Sequence, residues 1–153
     1  MENLRELLLF HCDSQRYAVQ LKNVQKVISI VNITHLPEAP HFIRGIINVQ
    51  GRFVPVADIR LRIGINEKNI ELSDQIILIN TPNRLIGLLV DETEGIERIS
   101  EDEIMDSTSV IPTLKHIKGI SKLKDDIIYI SDVDDFLSFE EEIMLNKALE
   151  KLS

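Results

Sequence analysis

The sequence predicts an all-β fold of two small barrels packed side by side and closed by one short C-terminal helix. Three observations carry the prediction. The first is the stretch Phe42 to Ile59, FIRGIINVQGRFVPVADI, whose apolar runs Ile46 to Val49 and Phe53 to Val56 meet at Gln50-Gly51-Arg52 as a tight β-hairpin. Gly51 supplies the positive φ that a short turn often needs, and Phe53, Val54 and Val56 suit a pleated surface. Pro55 cannot donate to a ladder, which places its strand at an edge or a bulge, where a partner can dock.

The second observation is that this hairpin recurs. At an offset of 74 residues Ile43-Arg44-Gly45-Ile46 falls on Ile117-Lys118-Gly119-Ile120, Phe53-Val54 on Ile127-Ile128, Val56 on Ile130, and Asp58-Ile59 on Asp132-Val133. The turn Gln50-Gly51-Arg52 falls on Lys124-Asp125-Asp126. At an offset of 69, Leu7 to Phe10 falls on Ile76 to Ile79, Tyr17-Ala18-Val19 on Ile86-Gly87-Leu88, and Val24 and Val27 on Thr93 and Ile96. Both blocks repeat in order, so the chain reads as built twice. The third observation is the spacing: many short strands, few helices and a repeated unit of about five strands.

In chain order, Leu4 to Cys12 is apolar on both alternating faces, as a strand buried on two sides would be. Asp13-Ser14-Gln15 turns it into Tyr17 to Leu21, and Val24 to Val31 is a third strand. Asn32 to His41, with Pro37 and Pro40, is a loop that delivers the chain to the central hairpin. Ile59 to Ile63 reads as one helical turn stopped by Gly64, and the boundary between copies follows, giving units at about 14–66 and 67–137. Strands are expected at Gln75 to Asn80, Leu85 to Asp91 and about Gly95 to Ile99. Ser100 to Lys115 reads as the longest irregular stretch, ahead of the second hairpin, Ile117 to Ile130. Ser138 is a candidate N-cap for a helix over 138–153, with Glu140 to Glu142 in the first turn, Lys147 and Lys151 near its end, and Leu145, Leu149 and Leu152 facing the body.

Composition narrows the function. The 153 residues carry a net charge of −8, which argues against a phosphate backbone as main partner, because nucleic-acid affinity rests on Lys and Arg displacing counterions. With a single cysteine, Cys12, an intrachain disulfide and a cysteine-rich zinc site are impossible, and a reducing compartment is expected. No apolar run approaches the roughly 20 residues of a membrane span and the N-terminus lacks a basic start, so a cytoplasmic location is expected, with any membrane association through a partner.

Catalytic and metal patterns are weak. His11, His35, His41 and His116 lack the spacing of a metal face, and the aspartates at 132, 134 and 135 lack the glycine and terminal Glu of a calcium loop. Cys12 on a strand lacks the setting of a nucleophile, and there is no phosphate loop or nucleotide fingerprint. No cofactor is expected. The remaining enzymatic alternative is a β-barrel with a carboxylate site at Asp58, Asp91 and Asp132, three matching strand ends that duplication explains without catalysis.

The stretch Leu36-Pro37-Glu38-Ala39-Pro40-His41-Phe42-Ile43-Arg44-Gly45-Ile46-Ile47-Asn48-Val49-Gln50-Gly51, followed by Val54 to Arg60, resembles the signature of the CheW family of chemotaxis coupling proteins. The resemblance continues at Leu85 to Ile96 and covers almost the whole chain. It implies two intertwined five-stranded barrels of the SH3-like kind, with the N-terminal strand exchanged between them. It also implies a non-catalytic adaptor that joins the cytoplasmic tips of methyl-accepting chemoreceptors to the regulatory domain of a CheA-type histidine kinase. A related adaptor serving a non-chemotactic kinase or a surface-motility pathway is the alternative within the same class.

The resemblance assigns a kinase interface to Phe42, Ile43, Arg44 and Gly45, and a receptor interface to Val24, Lys26, Val27, Asn48 and Gln50. A Gly45→Asp variant is expected to weaken kinase binding with the fold largely intact. Two receptor-side positions depart from the family pattern: Gln50 stands where Asn-x-Arg-Gly usually places Arg, and Lys26 where Val-x-Glu usually places Glu. Drift at exposed positions and a changed receptor partner are both open accounts of these two.

Overall fold

The computed structural model describes residues 4–62, 68–106, 117–123 and 126–152. Gly64, His116 and the turn Lys124-Asp125 lie outside them. The chain folds into two sheets. One has six strands in the order β8-β1-β2-β11-β10-β9 and the other five in the order β3-β6-β7-β5-β4. The strands are β1 (Leu4–Cys12), β2 (Gln15–Gln20), β3 (Val24–Ser29), β4 (Ile43–Val49), β5 (Arg52–Asp58), β6 (Gln75–Asn80), β7 (Leu85–Val90), β8 (Glu92–Ser100), β9 (Ile104–Asp106), β10 (Ile117–Leu123) and β11 (Asp126–Ser131). A single helical turn, α1 (Ile59–Arg62), follows β5, and α2 (Phe139–Glu150) ends the described fold.

The expected all-β duplicated fold is the one found, and the duplication extends to the hydrogen-bond register. Leu7 pairs with Gln20 and, 69 residues on, Ile76 pairs with Leu89. Ile43 pairs with Ala57 and, 74 residues on, Ile117 pairs with Ser131, each pair followed by a bulge before Gly45 or Gly119. The outer strands repeat a bulge as well: Gln25 is the extra residue between Val24 and Lys26, and Glu94 the extra residue between Thr93 and Gly95. Each sheet draws strands from both sides of the 66/67 boundary, because hairpin β1–β2 joins β8 to β11 while hairpin β6–β7 joins β3 to β5.

Period-2 alternation explains why the two sheets cannot separate. On β1, Leu7 and Leu9 point into the six-stranded sheet with Ala18, Ile128 and Ile130, while Leu8, Phe10 and Cys12 point into a core shared with Ile77, Ile79, Leu88 and Val90 of the other sheet. Ile76 and Leu78 repeat the inward role in the five-stranded sheet with Val54 and Val56. Leu4–Cys12 is thus buried on both faces over its second half, as its composition predicted.

Three details differ from expectation. Strand β5 is interior, flanked by β7 and β4, yet Pro55 is accommodated because the parallel pairing with β7 begins only at Val56. The missing N–H therefore falls on a stretch without a second neighbour. The stretch after Ser100 holds a 3-10 turn, Glu101–Glu103, and the short strand β9 before the described residues stop at Asp106. On α2, Leu145 and Ala148 are buried and Leu149 is half-buried, but Leu152 lies beyond the helix and is 42% exposed. The helix starts as predicted: Ser138 accepts from the Glu141 amide and the Glu141 carboxylate accepts from the Ser138 amide, a complete capping box.

Candidate functional site

The receptor-side candidates fall on the two outer strands of the five-stranded sheet. Val24, Lys26 and Val27 are on β3, where the bulge at Gln25 turns Lys26 outward while Val24 and Val27 pack partly on the shared core. Asn48 and Gln50 are at the tip of the β4–β5 hairpin. Gln50 (φ 52°) and Gly51 (φ 87°) form its two-residue turn between the paired Val49 and Arg52. Positive φ at both positions is the geometry whose twist matches a hairpin. Asn48 is exposed and its Oδ1 accepts from the Gly51 amide at 2.8 Å, so this side chain also holds the turn. A bulge and a lysine blunt β3 against pairing with another strand, leaving its side chains as the surface on offer.

The kinase-side candidates lie at the other end of β4 and point largely inward. Phe42 is buried, edge-on to Phe136 at 6.2 Å and beneath the Arg62 guanidinium at 4.1 Å from its ring centre. Ile43 is buried in the shared core. Arg44 donates to Asp58 Oδ2 at 2.9 Å and to the Lys68 carbonyl at 3.3 Å. At Gly45 a Cβ would stand 2.2 Å from the Thr34 carbonyl oxygen, on backbone at φ +154°. This corrects the expectation that Gly45→Asp spares the fold: Gly45 is required where Thr34 bridges to Ile46, and any side chain forces the two backbones apart.

Arg44 belongs to a network of charges that the sequence did not reveal. Arg60, with its side chain 4% exposed, pairs with Asp13 in the β1–β2 turn and with Asp91 Oδ1 at 2.5 Å. Asp91 is the single residue between β7 and β8, where the chain crosses from one sheet to the other, and its Oδ2 also accepts from the Asp13 amide at 2.8 Å. Lys68 joins Asp91 at 3.4 Å to the buried Asp74 at 3.0 Å, and Asp58 Oδ1 accepts from the Arg60 amide. Burial alone would lower the Arg60 pKa, but its bonds to Asp91 and Asp13 outweigh this and raise it. Burial pushes Asp91 up, and the Arg60 and Asp13 bonds bring it below the usual range. For Asp58 the order is reversed, burial outweighing Arg60 and Arg44, so its carboxyl titrates above the usual range.

The carboxylates of the enzymatic alternative therefore separate. Asp58 and Asp91 are neutralised within the network, whereas Asp132 accepts from the Asp135 amide at 3.2 Å, a local turn. Burial raises the Cys12 thiol to about 12, which keeps it protonated at neutral pH. His11 Nδ1 is 2.6 Å from Glu94, His35 is exposed, and the His41 ring packs edge-on to Phe42. Among the described residues no three His, Cys, Asp or Glu side chains are grouped to hold a metal. What the site offers is exposed side-chain surface at Asn48 and Gln50 and at Lys26 on β3, whereas the Phe42–Gly45 end of β4 is buried apart from a half-buried Arg44.

Residues 6–141 match the model of the CheW-like domain. The chain is 32% identical to the chemotaxis protein CheW of Thermotoga maritima over 94% of its own length and 93% of that protein. It is 23% identical to the chemotaxis protein CheW of Klebsiella aerogenes over 93% and 87%. Its fold superposes on the crystal structure of the scaffolding protein TtCheW from Thermoanaerobacter tengcongensis with a TM-score of 0.81 at 28% identity, covering 92% of this chain and 96% of that one. A match over residues 6–141, which runs through both copies of the repeat, shows that the chain belongs to the CheW-like family.

Proposed function

We propose that this protein is a non-catalytic adaptor that holds a CheA-type histidine kinase, through its regulatory domain, against the cytoplasmic tip of a methyl-accepting chemoreceptor. The observation that carries the reading is the near full-length likeness to chemotaxis proteins and to a scaffolding protein. The geometry supports it. Arg44 and Gln50 stand at opposite ends of one strand, about 20 Å apart at the usual rise per residue, so two partners can occupy the two ends at once. An adaptor of this kind changes affinities instead of bonds. On this reading it works in the cytoplasm, at membrane-associated receptor arrays that it reaches through its partner. Among the described residues no helix is long and apolar enough to cross a membrane.

Gln50 and Lys26 set the expected partner choice. Relative to the family pattern, Gln50 removes a positive charge and Lys26 replaces a negative one, so a receptor suited to that pattern meets a missing guanidinium and a misplaced ammonium. A desolvated charge left without its partner costs about 2 to 5 kcal/mol, and a rim charge far less. The wild type should bind a typical receptor-tip fragment weakly, and Gln50→Arg with Lys26→Glu should strengthen that binding while affinity for the kinase regulatory domain stays nearly constant. Calorimetric titration of both proteins against both fragments tests this. Equal receptor affinities would make the two substitutions drift on a solvated face, and failure of the wild type to bind either fragment would sink the adaptor reading.

A further inference from the structure

We propose that the six-stranded sheet carries a binding cleft for a small carboxylate with an apolar body, at a place that the five-stranded sheet fills with its own side chains. The inference is independent of the adaptor reading and starts from the differences between the two copies. The inner cluster of the five-stranded sheet includes Ile47, Leu89 and Ile30. At the offset of 74 Ile47 becomes Ser121, and at the offset of 69 Leu89 becomes Gln20. Ile30 becomes Glu101, at the 71-residue offset that carries Thr34, opposite Ile46, to Met105, opposite Ile120. Three apolar positions of one copy are thus polar in the other. Where they lie, a cleft of about 190 Å³ opens, with Leu7, Ile104 and Ile130 as its apolar lining and Arg5, Gln20, Glu101 and Lys118 as its polar lining. A volume below the roughly 300–1,000 Å³ of drug-sized sites admits only a small ligand. Ser121 pairs with Ile104 across the ladder and is fully buried, yet its hydroxyl has no hydrogen-bond partner. Few buried polar groups are left so, and this one stands where Ile47 supplies a side chain to the other core.

The polar lining selects the charge of the ligand. Arg5 and Lys118 outnumber Glu101, so the cleft is net positive. Arg5 is already engaged, donating from Nε to Glu101 at 2.6 Å and from Nη1 to Gln20 at 3.0 Å. Lys118 is exposed and has no partner among the described residues. Here too the copies differ. Arg44, the residue 74 positions earlier, is tied to Asp58 and to the Lys68 carbonyl, whereas Asp132, the counterpart of Asp58, accepts from the Asp135 amide. Lys118 therefore presents an ammonium beside an apolar wall. A carboxylate with an apolar body satisfies both features; an inorganic anion meets only the charge, and a neutral apolar molecule meets only the wall.

Chemical-shift titration of the full chain with hydrocinnamate and octanoate tests the cleft, with hydrocinnamide as the uncharged control and acetate as the control without an apolar body. Both apolar carboxylates should move the amides of Leu7, Ile104 and Gly119 saturably, with a Kd at or below about 1 mM. Hydrocinnamide should bind at least about threefold more weakly than hydrocinnamate, the scale of an exposed ion pair. Acetate should give no saturable shift. Lys118→Gln should lose the same factor for the two carboxylates and nothing for hydrocinnamide, while Lys118→Arg should retain wild-type affinity. Lys118 is exposed, so both variants should melt as the wild type does; if Lys118→Gln does not, the comparison of acid with amide on the wild type decides alone. Absence of a saturable shift with either apolar carboxylate, shifts centred away from the cleft, or equal affinity for acid and amide overturns the proposal, as does acetate binding as tightly as octanoate. None of these outcomes bears on the adaptor reading, which rests on other residues.

Discussion

Arg60 shows how one residue can be structurally central and still give no sign of it in the sequence. Its partners Asp13 and Asp91 lie 47 and 31 residues away, separations at which no spacing rule operates, and only folding brings the β1–β2 turn to the sheet crossing. Sequence reading therefore singled out Asp58 and Asp91 as carboxylates and missed the arginine between them, together with Lys68 and Asp74. Replacing Arg60 by Met should cost about 2 to 3 kcal/mol, at or just below the lower bound for breaking a fully buried pair, because Asp13 is 59% exposed and rehydrates. The pH dependence gives a second readout. Asp91 and Glu141 have folded-state pKa values below their ordinary 3.8 and 4.5, so the stability they contribute is present above those values and is lost as pH falls through the lowered ones. Asp58, raised by burial, has the opposite sign and offsets part of that loss. Urea unfolding between pH 2 and 7 should show the acid limb of the stability curve flattened in Arg60→Met. An unchanged slope would mean that Asp91 draws its depression from other donors.

At the level of elements, strands and turns were legible where local chemistry decides them and obscure where a distant neighbour does. The β4–β5 turn, the capping box at Ser138 and the two-faced burial of β1 all follow from residues adjacent in the chain. The interior position of β5 does not, because Pro55 suggests an edge unless it is known that β7 begins pairing one residue later. Two glycines of the same hairpin separate the cases. A Cβ at Gly51 would meet nothing within 4 Å, so Gly51→Ala should cost only the positive φ, about 1 kcal/mol. Gly45→Ala must push against the Thr34 backbone, which cannot swing aside as a side chain would, and should cost about 3 kcal/mol or more. Thermal denaturation of the two variants checks the order. A Gly45→Ala protein as stable as Gly51→Ala would mean that the Thr34 segment yields freely, restoring Gly45→Asp as a clean probe of kinase contact.

For the whole molecule, duplication was legible because apolar residues recur at constant offsets, while the interlocking of the copies was expected only through the family resemblance, since strand order leaves no trace in spacing. The two hairpins at the 69-residue offset each sit in the sheet formed mainly by the other half's strands, and the parallel pairings β2–β11 and β7–β5 are the seams. Residues 1–66 therefore contain β1 to β5 but neither complete sheet. Strands β1 and β2 would lack β8 and β11, β3 would lack β6, and β5 would lack β7. Leu8, Phe10 and Cys12 would lose Ile77, Ile79 and Val90, leaving open strand edges beside bare apolar faces in a fragment near the lower size limit for independent folding. Expressed alone, 1–66 should lack a cooperative melt and should aggregate, whereas mixing it with 67–153 should restore a folded heterodimer by strand complementation. Circular dichroism and analytical ultracentrifugation of the fragments, separate and mixed, decide the matter: a cooperatively folded monomeric 1–66 would show that the halves stand as independent domains, against the shared core described here.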